Sequence, residues 1–413
     1  MFRIIDIARE ISSGITPLRS NSEYWENGTI PWLKTEQIGE YRIKTTNEFV
    51  TEKALESTGL KLYPKNTISI AMYGEGKTRG NVSIIDCPMT TNQACCNIVV
   101  NESIVAPFYL YYFFKTQYHN LRQLSSGVRK NLNTNDIKNY LINLPNKITQ
   151  QNIVNFLCSI DEKIELNNKI NLELEKIAKT LYEYWFVQFD FPDENERPYK
   201  SSGGKMIYNE ILKREIPNNW NNGALSDISY TQTGYAFKSC DWKEKGHPVL
   251  TIKVIENNSI NISEASHIDS YQEKYAKYSV ENGNIILAMT GNTIGKIGII
   301  ASDIKNILIN QRVCIYKTNY SNIAYLYFNL LSEGIQNKIW QIGQNSSQPN
   351  ISEEQLKILP IVLPPKELLD KYNKIFSSYF RKIVNNNIEN QQLSILREFL
   401  LPMLINGQVT IQQ

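Results

Sequence analysis

The sequence contains few residues of the kinds that usually build metal sites or catalytic bases. Its 413 residues include three histidines, His119, His247 and His267, and six cysteines. No two cysteines have the Cys-x-x-Cys spacing of a zinc or redox motif. Such cysteines are typical of buried free thiols in a reducing compartment. We therefore predict no metal site and no catalytic residues on this chain.

Long apolar runs and a strong charge bias are also absent. No run approaches the roughly 18–20 apolar residues that span a bilayer. The opening segment MFRIIDIARE (1–10) is too charged for a signal peptide, so we expect a cytoplasmic protein. The net charge of +3 is too small to indicate nucleic-acid binding by itself. If nucleic acid is the ligand, the basic residues must be concentrated locally, or a partner must share the contact.

The sequence does contain an internal repeat with an offset of about 217–220 positions. The segment AMYG (71–74) returns as AMTG (288–291), and Leu-Pro at 144–145 returns at 363–364. A tandem duplication presents two similar faces. Such an object suits a ligand with two separated parts, and DNA is the obvious candidate.

The predicted elements indicate an α+β fold, in which a mixed, β-rich domain is followed by a long helix and both then recur. We place the first β-rich domain at 1–145 and a central region of helix plus linker at 146–200. The second β-rich domain then covers 201–365, and the second long helix lies in 366–413. Within the first domain, the aromatic segment 106–118 is predicted to be a buried helix. Its counterpart in the second domain lies at 323–331.

The two helices carry matching heptad patterns. No glycine or proline interrupts residues 147–188, and adding 219 to each position of the first stripe gives the second. We expect an antiparallel coiled coil with pseudo-twofold symmetry, which Pro402 ends or kinks near its last turn. Asparagines recur mid-stripe, so we expect Asn167 near Asn390 and Asn171 near Asn386, fixing the register. Alternatively, these asparagines face solvent or another subunit.

A glycine-rich loop occurs once in each copy. AMYGEGKT (71–78) matches a loose P-loop pattern, but the following RGNVSIID looks like a strand, whereas a P-loop needs a helix there. The second copy loses the pattern, so nucleotide binding is disfavoured. Backbone and cations of such loops can approach DNA phosphates, although an ordinary hairpin turn is the alternative. The candidates are Lys77 and Arg79 in the first copy, and Asn292 and Lys296 in the second.

A second pair of polar segments precedes a short helix in each copy. These are SSGVRKN (125–131) and GQNSSQPN (343–350). Arginine and lysine can contact phosphate or guanine, and amide side chains can read adenine, although a capped helix entry is the structural alternative. The candidates are Arg129, Lys130, Asn131, Gln348 and Asn350. Lys34 and Lys253, at equivalent positions, complete the DNA-binding candidates.

Several longer strings resemble a known family. LEKIAKTLYEYWFVQFDFP (174–192), KSSGGKMIYNEILKREIPNNW (200–220) and LREFLLPMLINGQV (396–409) look like the constant regions of type I restriction-modification specificity subunits. The openings ISSGITPLRS (11–20) and YTQTGYAFKS (230–239) resemble the starts of that family's target recognition domains. The resemblance spans the chain, and its constant-region strings are the specific part.

The resemblance implies a subunit without catalytic activity of its own. Each target recognition domain would read one half of a split site in double-stranded DNA, and the helices would set the spacer and dock two methylation subunits. No cofactor is then expected on this chain, since S-adenosylmethionine belongs to the methylation subunits and ATP and Mg²⁺ to the restriction subunits. Three alternatives stay open: another restriction class with a fused methylase-nuclease partner, a bivalent adaptor that does not bind DNA, and a nucleotide hydrolase using the 71–78 loop.

Overall fold

The chain forms two compact units that each combine helices with sheets. The computed structural model describes residues 1–74, 76–124, 131–256, 258–318, 322–344 and 349–411. Unit 1 comprises Met1–Lys163 and Leu393–Gln413, and unit 2 comprises Ile164–Gln392. Each unit therefore contains one β-rich domain and a part of each long helix. This arrangement confirms the predicted α+β class with two tandem domains.

Unit 1 is built on a five-stranded sheet of order β2-β9-β6-β7-β4, beside the sheets β5-β3-β8 and β1-β10. Neighbouring strands in these three sheets are antiparallel, except for the parallel pairs β4–β7 and β3–β8. The strands are β1 (Phe2–Arg3), β2 (Ala8–Ser13), β3 (Ile30–Leu33), β4 (Arg42–Ile43), β5 (Glu48–Val50), β6 (Ile68–Ala71), β7 (Val82–Ile85), β8 (Thr90–Thr91), β9 (Cys95–Val100) and β10 (Leu141–Ile142).

Helix α3 (Pro107–Thr116) packs against strands β6 and β7 of this sheet, whereas α2 (Glu52–Ser57) packs beside β3 and β5. The segment PFYLYYFFKT forms a helix over Pro107–Thr116, which confirms the predicted buried helix. Proline at its first position has the backbone angle that a helix start needs. All four residues of β6 are buried, so both faces of this strand are covered; Ile68 and Ile70 pack with the six buried residues of the helix in the main core. The helices are α1 (Ile4–Ile7), α2 (Glu52–Ser57), α3 (Pro107–Thr116), α4 (Tyr118–Gln123) and α5 (Thr134–Lys138).

The long helices also contribute to the core of unit 1. The first, α6 (Lys147–Tyr182), buries Ile153 and Leu157 there. The last helix of the chain buries Leu401 and Leu404 in the same cluster. The domain and the helix segments of unit 1 thus share one hydrophobic core.

Unit 2 repeats this topology. Its sheet β14-β23-β20-β21 has the same connectivity as β2-β9-β6-β7 of unit 1. The parallel pair β16–β22 corresponds to the parallel pair β3–β8. The other sheets are β15-β19-β16-β22, β13-β24, β11-β12 and β17-β18. The strands are β11 (Met206–Asn209), β12 (Arg214–Pro217), β13 (Asn221–Ala224), β14 (Tyr230–Thr233), β15 (Trp242–Lys243), β16 (His247–Leu250), β17 (Ile255–Glu256), β18 (Ser259–Ile260), β19 (Ser266–Ile268), β20 (Ile285–Ala288), β21 (Ile297–Ile299), β22 (Leu308–Ile309), β23 (Val313–Lys317) and β24 (Pro360–Leu363).

The remaining helices lie in unit 2, except for the end of α10. They are α7 (Ile323–Leu331), α8 (Glu333–Gly343), α9 (Glu353–Lys357) and α10 (Lys366–Ile405). The bounds of α7 confirm the predicted second buried helix. A π-helical turn, Glu183–Val187, extends α6. Pro402 lies inside the last turn of α10, which ends three residues later at Ile405.

Both heptad stripes form the inner faces of the long helices, because every residue in them is buried or half-buried. The first stripe contains Ile153, Leu157, Ile160, Ile164, Asn167, Asn171, Leu174, Ala178, Leu181 and Trp185. The second contains Tyr372, Phe376, Tyr379, Ile383, Asn386, Asn390, Leu393, Arg397, Leu400 and Leu404. Among the described residues, no helix is both long enough and apolar enough to cross a membrane.

Candidate nucleic-acid interface

The glycine-rich loop of unit 1 joins two antiparallel strands. It runs from β6 to β7, with Gly74 and Gly80 at φ +129° and +88°. A strand follows where a P-loop would need a helix start, so the loop lacks the frame for binding nucleotide phosphates. Helix α4 braces it instead. The hydroxyl of Tyr118 donates to the carbonyl of Lys77 at 2.8 Å, and Arg122 donates to the carbonyl of Arg79 at 3.0 Å.

This bracing fixes the loop backbone through its carbonyl groups. Lys77 is exposed and Arg79 is half-buried. Both cations were predicted from the sequence, whereas the two braces, Tyr118 and Arg122, were not. Their i, i+4 spacing on a helix is the signal that could have indicated them. A rigid loop backbone of this kind positions cations with little entropic cost on binding.

The equivalent loop of unit 2 is held in the same way. It joins β20 to β21, with Gly291 and Gly295 at φ +70° and +83°. Gln336 of α8 donates its side-chain amide to the carbonyl of Gly295 at 3.0 Å. Asn292 and Lys296 are both exposed. The loop thus offers an amide and a cation to solvent from a braced backbone.

The last two residues of the second predicted segment, Pro349 and Asn350, lie against this loop in unit 2. The amide of Gly291 donates to the carbonyl of Pro349 at 2.9 Å, and Thr290 and Asn350 form an isolated antiparallel bridge. Asn350 is exposed. The structure therefore places Asn350 beside the loop that carries Asn292 and Lys296.

Unit 1 makes the corresponding contact. The amide of Leu132, next to the half-buried Asn131, donates to the carbonyl of Met72 at 3.1 Å. The following short helix α5 is capped by Asn133, and α9 in unit 2 is capped by Ser352. The capped helix entry is therefore present beside each loop. Arg129, Lys130 and Gln348 lie outside the described residues.

The expectation that Lys34 and Lys253 are equivalent is wrong. Lys34 directly follows β3, whereas Thr251 holds that place after β16 and Lys253 lies two residues further on. The two lysines also differ in their partners. Lys34 pairs with Glu48 at 2.6 Å and Glu36 at 3.0 Å, and these carboxylates raise its pKa. Lys253 is exposed, and no ion pair is found for it within the described ranges. No described contact links either lysine to the glycine-rich loops. The ammonium group of Lys253 can contact a phosphate directly. Lys34 would first have to break its ion pairs with Glu36 and Glu48.

An arginine–tryptophan cluster beside Lys34 was not found from the sequence. The guanidinium carbon of Arg19 lies 3.8 Å from the ring centroid of Trp25 and 4.7 Å from that of Trp32. Arg19 also pairs with Glu48 and thereby holds the pKa of that carboxyl below its ordinary value. Because its side chain is half exposed, this cluster presents a stacked cation on the surface of unit 1.

The dipeptide Asn-Gln occurs at 92–93 and again at 310–311, and its asparagine has a structural role in both copies. Asn92 accepts from the amide of Ala94 at 3.1 Å, and Asn310 accepts from the amide of Arg312 at 3.2 Å. Each side chain thus satisfies the backbone two residues on, which is a common turn arrangement. The same contact in both copies explains why the pair recurs.

In unit 2 the structure brings together the asparagines predicted to fix the helix register. Asn167 donates to Asn390 at 2.9 Å, and Asn386 donates to Asn171 at 2.8 Å. The adjacent Asn387 accepts from Asn171 at 2.8 Å. Further along, the hydroxyl of Tyr372 donates to the carbonyl of Ala178 at 3.0 Å. Rising positions on α6 meet falling positions on α10, so these segments run antiparallel.

The helix segments of unit 1 meet at a buried ion pair. Asp161 of α6 is 3% exposed and pairs with Arg397 of α10. Tyr112 of α3 donates its hydroxyl to the same carboxylate at 2.6 Å. Arg397 occupies a stripe position, so a charged residue stands where the heptad pattern would otherwise place an apolar one. The pair ties both helices to the domain of unit 1.

These surfaces can bind an anionic, hydrogen-bonding ligand. Exposed lysines and amides on braced loops are the groups that contact DNA phosphates and base edges. Among the described residues, no cluster of three or more His, Cys, Asp or Glu side chains is placed to hold a metal ion.

Comparison with known proteins agrees with this geometry. Residues 1–176 and 217–394 match the family model described as type I restriction modification DNA specificity domain. The chain is 27% identical to the type I restriction enzyme MjaIX specificity subunit of Methanocaldococcus jannaschii, over 100% of this chain and 93% of that protein. It is 23% identical to the HindI specificity subunit of Haemophilus influenzae, over 75% of this chain and 79% of that one.

A solved structure shares the fold. It is the S subunit of a type I restriction-modification system from M. genitalium, with a TM-score of 0.57 and 18% identity, over 100% of this chain and 96% of that one. The family match covers the first β-rich domain, the second from residue 217 onward, and most of both long helices. The chain therefore belongs to the family of type I restriction-modification DNA specificity domains.

Proposed function

We propose that this chain is the DNA-specificity subunit of a type I restriction-modification complex. The domain of each unit is a target recognition domain and reads one half of a bipartite site in double-stranded DNA. The long helices set the spacer between the halves. Because the two domains differ in sequence, the two half-sites need not be related by symmetry.

The observation that carries this proposal is the recurrence of one polar assembly in both units. In each, a glycine-rich loop between two antiparallel strands is braced by a helix and touches the segment before a capped short helix. Each loop carries cations, Lys77 and Arg79 in unit 1 and Lys296 in unit 2. Two such assemblies on one chain suit a duplex with two contact regions.

The outer faces of the long helices support a role in assembly. Large apolar side chains on them are more than half exposed. Two of them, Ile395 and Phe399, lie one turn apart on α10, and neighbouring exposed apolar residues mark protein interfaces. We propose that two methylation subunits dock on these helices and that restriction subunits join the complex. The exposed residues are Leu166 (52%), Leu172 (64%), Ile395 (68%) and Phe399 (64%).

We further propose that the chain itself is not catalytic. S-adenosylmethionine would be bound by the methylation subunits, and ATP with Mg²⁺ by the restriction subunits. Recognition and assembly would then be the contributions of this chain, and its partners would supply the chemistry.

The salt dependence of duplex binding tests this function. The chain assembled with its methylation subunit should bind a duplex with an affinity that falls steeply between about 50 and about 200 mM salt, because neutralised phosphates release counterions. Fluorescence anisotropy of a labelled duplex measures it. Binding that is absent, or unaffected by salt, would favour an adaptor that does not touch DNA.

A further inference from the structure

Unit 2 contains a pocket that the proposed DNA contacts do not use. The cavity measures about 510 Å³ and lies between the end of α6, the helices α7 and α8, and the strand β24. Its walls include the buried aromatic residues Tyr182, Phe186, Tyr325 and Phe328. A cavity of this size with aromatic walls can accept one or two apolar side chains.

Two half-buried cations line the same pocket. Arg214 donates to the carbonyl of Val187 at 3.1 Å and lies 4.6 Å from the ring centroid of Phe189. Lys338 is 3.4 Å from the carbonyl of Pro360, to which it donates. Both cations are therefore positioned by backbone carbonyl groups rather than by carboxylates.

The charges of Arg214 and Lys338 are not balanced within the described part of the chain, where neither forms an ion pair. Burial lowers the pKa of both groups, and the charge of Arg214 lowers that of Lys338 further. The pocket also has two carboxylates, but Glu183 and Glu333 are exposed, and Glu183 pairs with Lys179 at 3.6 Å. Half-buried cations close enough to repel each other are stabilised by an incoming anion.

The equivalent groove of unit 1 has no basic side chain among its described lining residues, although the N-terminal residue Met1 lines it. It is lined by Phe113, Gln117 and Ile405, which correspond through the repeat to Phe328, Ser332 and Phe186. Among its described lining residues, the only charged side chain is that of Asp136. The two cations are thus particular to the second copy and are not a by-product of the repeated fold.

We propose that the pocket of unit 2 is a docking site for an acidic segment of a methylation subunit. An apolar side chain of that segment enters between the aromatic walls, and a neighbouring carboxylate pairs with Arg214 and Lys338. Charge complementarity selects this occupant. A duplex is less suited, because its phosphates need cations on an open surface, whereas these two lie among aromatic walls.

This inference rests on the proposed assembly with two methylation subunits. Since the groove of unit 1 has no arginine or lysine side chain among its described lining residues, only one of the two subunits gains the contact with two half-buried basic side chains. The two binding steps should therefore differ in affinity, and the tighter one should weaken more with salt.

Isothermal titration calorimetry of the full chain with the purified methylation subunit tests the inference. The double variant Arg214→Gln/Lys338→Gln should weaken one of the two binding steps roughly tenfold and reduce its salt dependence. The charge-retaining variant Arg214→Lys/Lys338→Arg should recover most of the affinity. Lys213→Gln, which removes an exposed lysine next to Arg214, should bind like the unchanged chain.

The outcomes separate the two claims. Equal affinity of the unchanged chain and the Gln/Gln variant, at both about 50 and about 200 mM salt, would overturn the docking site while leaving the proposed assembly intact. An equal loss in the charge-retaining variant would also overturn it, because the defect would then be one of packing. Failure of the unchanged chain to bind the methylation subunit would contradict the proposed function itself.

Discussion

Asn386 donates its side-chain amide to the Oδ1 atom of Asn171 at 2.8 Å, and both residues are buried. At this position the heptad stripes of α6 and α10 meet through polar groups rather than apolar ones. Among the described residues, the Oδ1 atom of Asn386 itself is buried and has no partner. A buried polar contact of this kind lowers the stability of the helix pair, but it fixes the alignment of the two helices.

Removing one amide of this pair should be worse than removing both. Asn171→Leu leaves the buried amide of Asn386 without this acceptor and should lower the free energy of unfolding by about 1–3 kcal/mol. The double variant Asn171→Leu/Asn386→Leu should recover most of that loss. Denaturant unfolding of the four proteins of this double-mutant cycle measures the coupling.

The control for this cycle is Asn385→Leu, which changes an exposed asparagine next to Asn386. It should shift the unfolding midpoint little, because no buried polar group loses a partner. Strictly additive effects of the two Leu substitutions would show that the hydrogen bond between Asn171 and Asn386 does not couple the helices.

The ion pair between Asp161 and Arg397 should be the most sensitive contact of unit 1. Arg397→Met leaves a carboxylate that is 3% exposed without its cation, at a cost of about 3 kcal/mol. Adding Asp161→Asn removes the stranded charge and should restore most of the stability. Thermal unfolding of the single and the double variant measures the loss of stability and its recovery. A stable Arg397→Met protein would mean that Tyr112 alone satisfies the carboxylate.

Two substitutions in the braced loop of unit 2 should affect DNA binding differently, one changing the affinity and the other the base preference. Lys296→Ala should weaken the binding of all duplexes by a similar few-fold factor and lower the salt slope by about 1, because it removes one phosphate contact. Asn292→Ala should instead change the preferred bases in one half-site. Anisotropy titrations across salt concentrations and methylation mapping distinguish these results. A base preference that changes with Lys296→Ala alone would reverse the assignment.

The carboxylate of Glu48 should stabilise unit 1 in a pH-dependent way. Arg19, and then Lys34, lower its pKa from the ordinary value of 4.5. Its contribution is therefore present above pH 4.5 and is lost as pH falls through the lowered pKa. The unchanged chain should be more stable than Glu48→Gln by less than about 1 kcal/mol near neutral pH. The two should converge in acid, as unfolding curves at several pH values will show.

The length of α6 should set the spacer of the DNA site. Four residues inserted near Asn168 add about 6 Å of helix, compared with about 3.4 Å per base pair, so the spacer should grow by one or two base pairs. Four residues inserted at the loop Ser201–Gly204 are the control and should leave it unchanged. An unaltered spacer after the helix insertion would show that the helices do not determine the separation.

The sequence predicted those features that repeat along it. The asparagine contacts could be predicted because a heptad pattern places residues on one face, and the duplication then specifies which residues meet. The glycine-rich loops were found for the same reason. Their bracing by Tyr118, Arg122 and Gln336 was not, since it depends on how α4 and α8 pack.

Contacts between residues far apart in the chain were not predictable. Arg19, Trp25 and Trp32 come together only because β3 and the preceding turn fold against each other. Arg214 and Lys338 meet in one pocket although they are 124 positions apart, and only Arg214 lies in a string that resembles the family. The capture of Lys34 by Glu48 likewise follows from the pairing of β3 with β5.

The most direct test of the account is to co-express the chain with the methylation subunit and map methylated adenines by long-read sequencing. The account predicts methylation that depends on this chain, in a split motif of two short specific halves around a fixed spacer. A soluble complex with no chain-dependent methylation, or a single uninterrupted motif, would contradict the claim that each unit reads one half of the site.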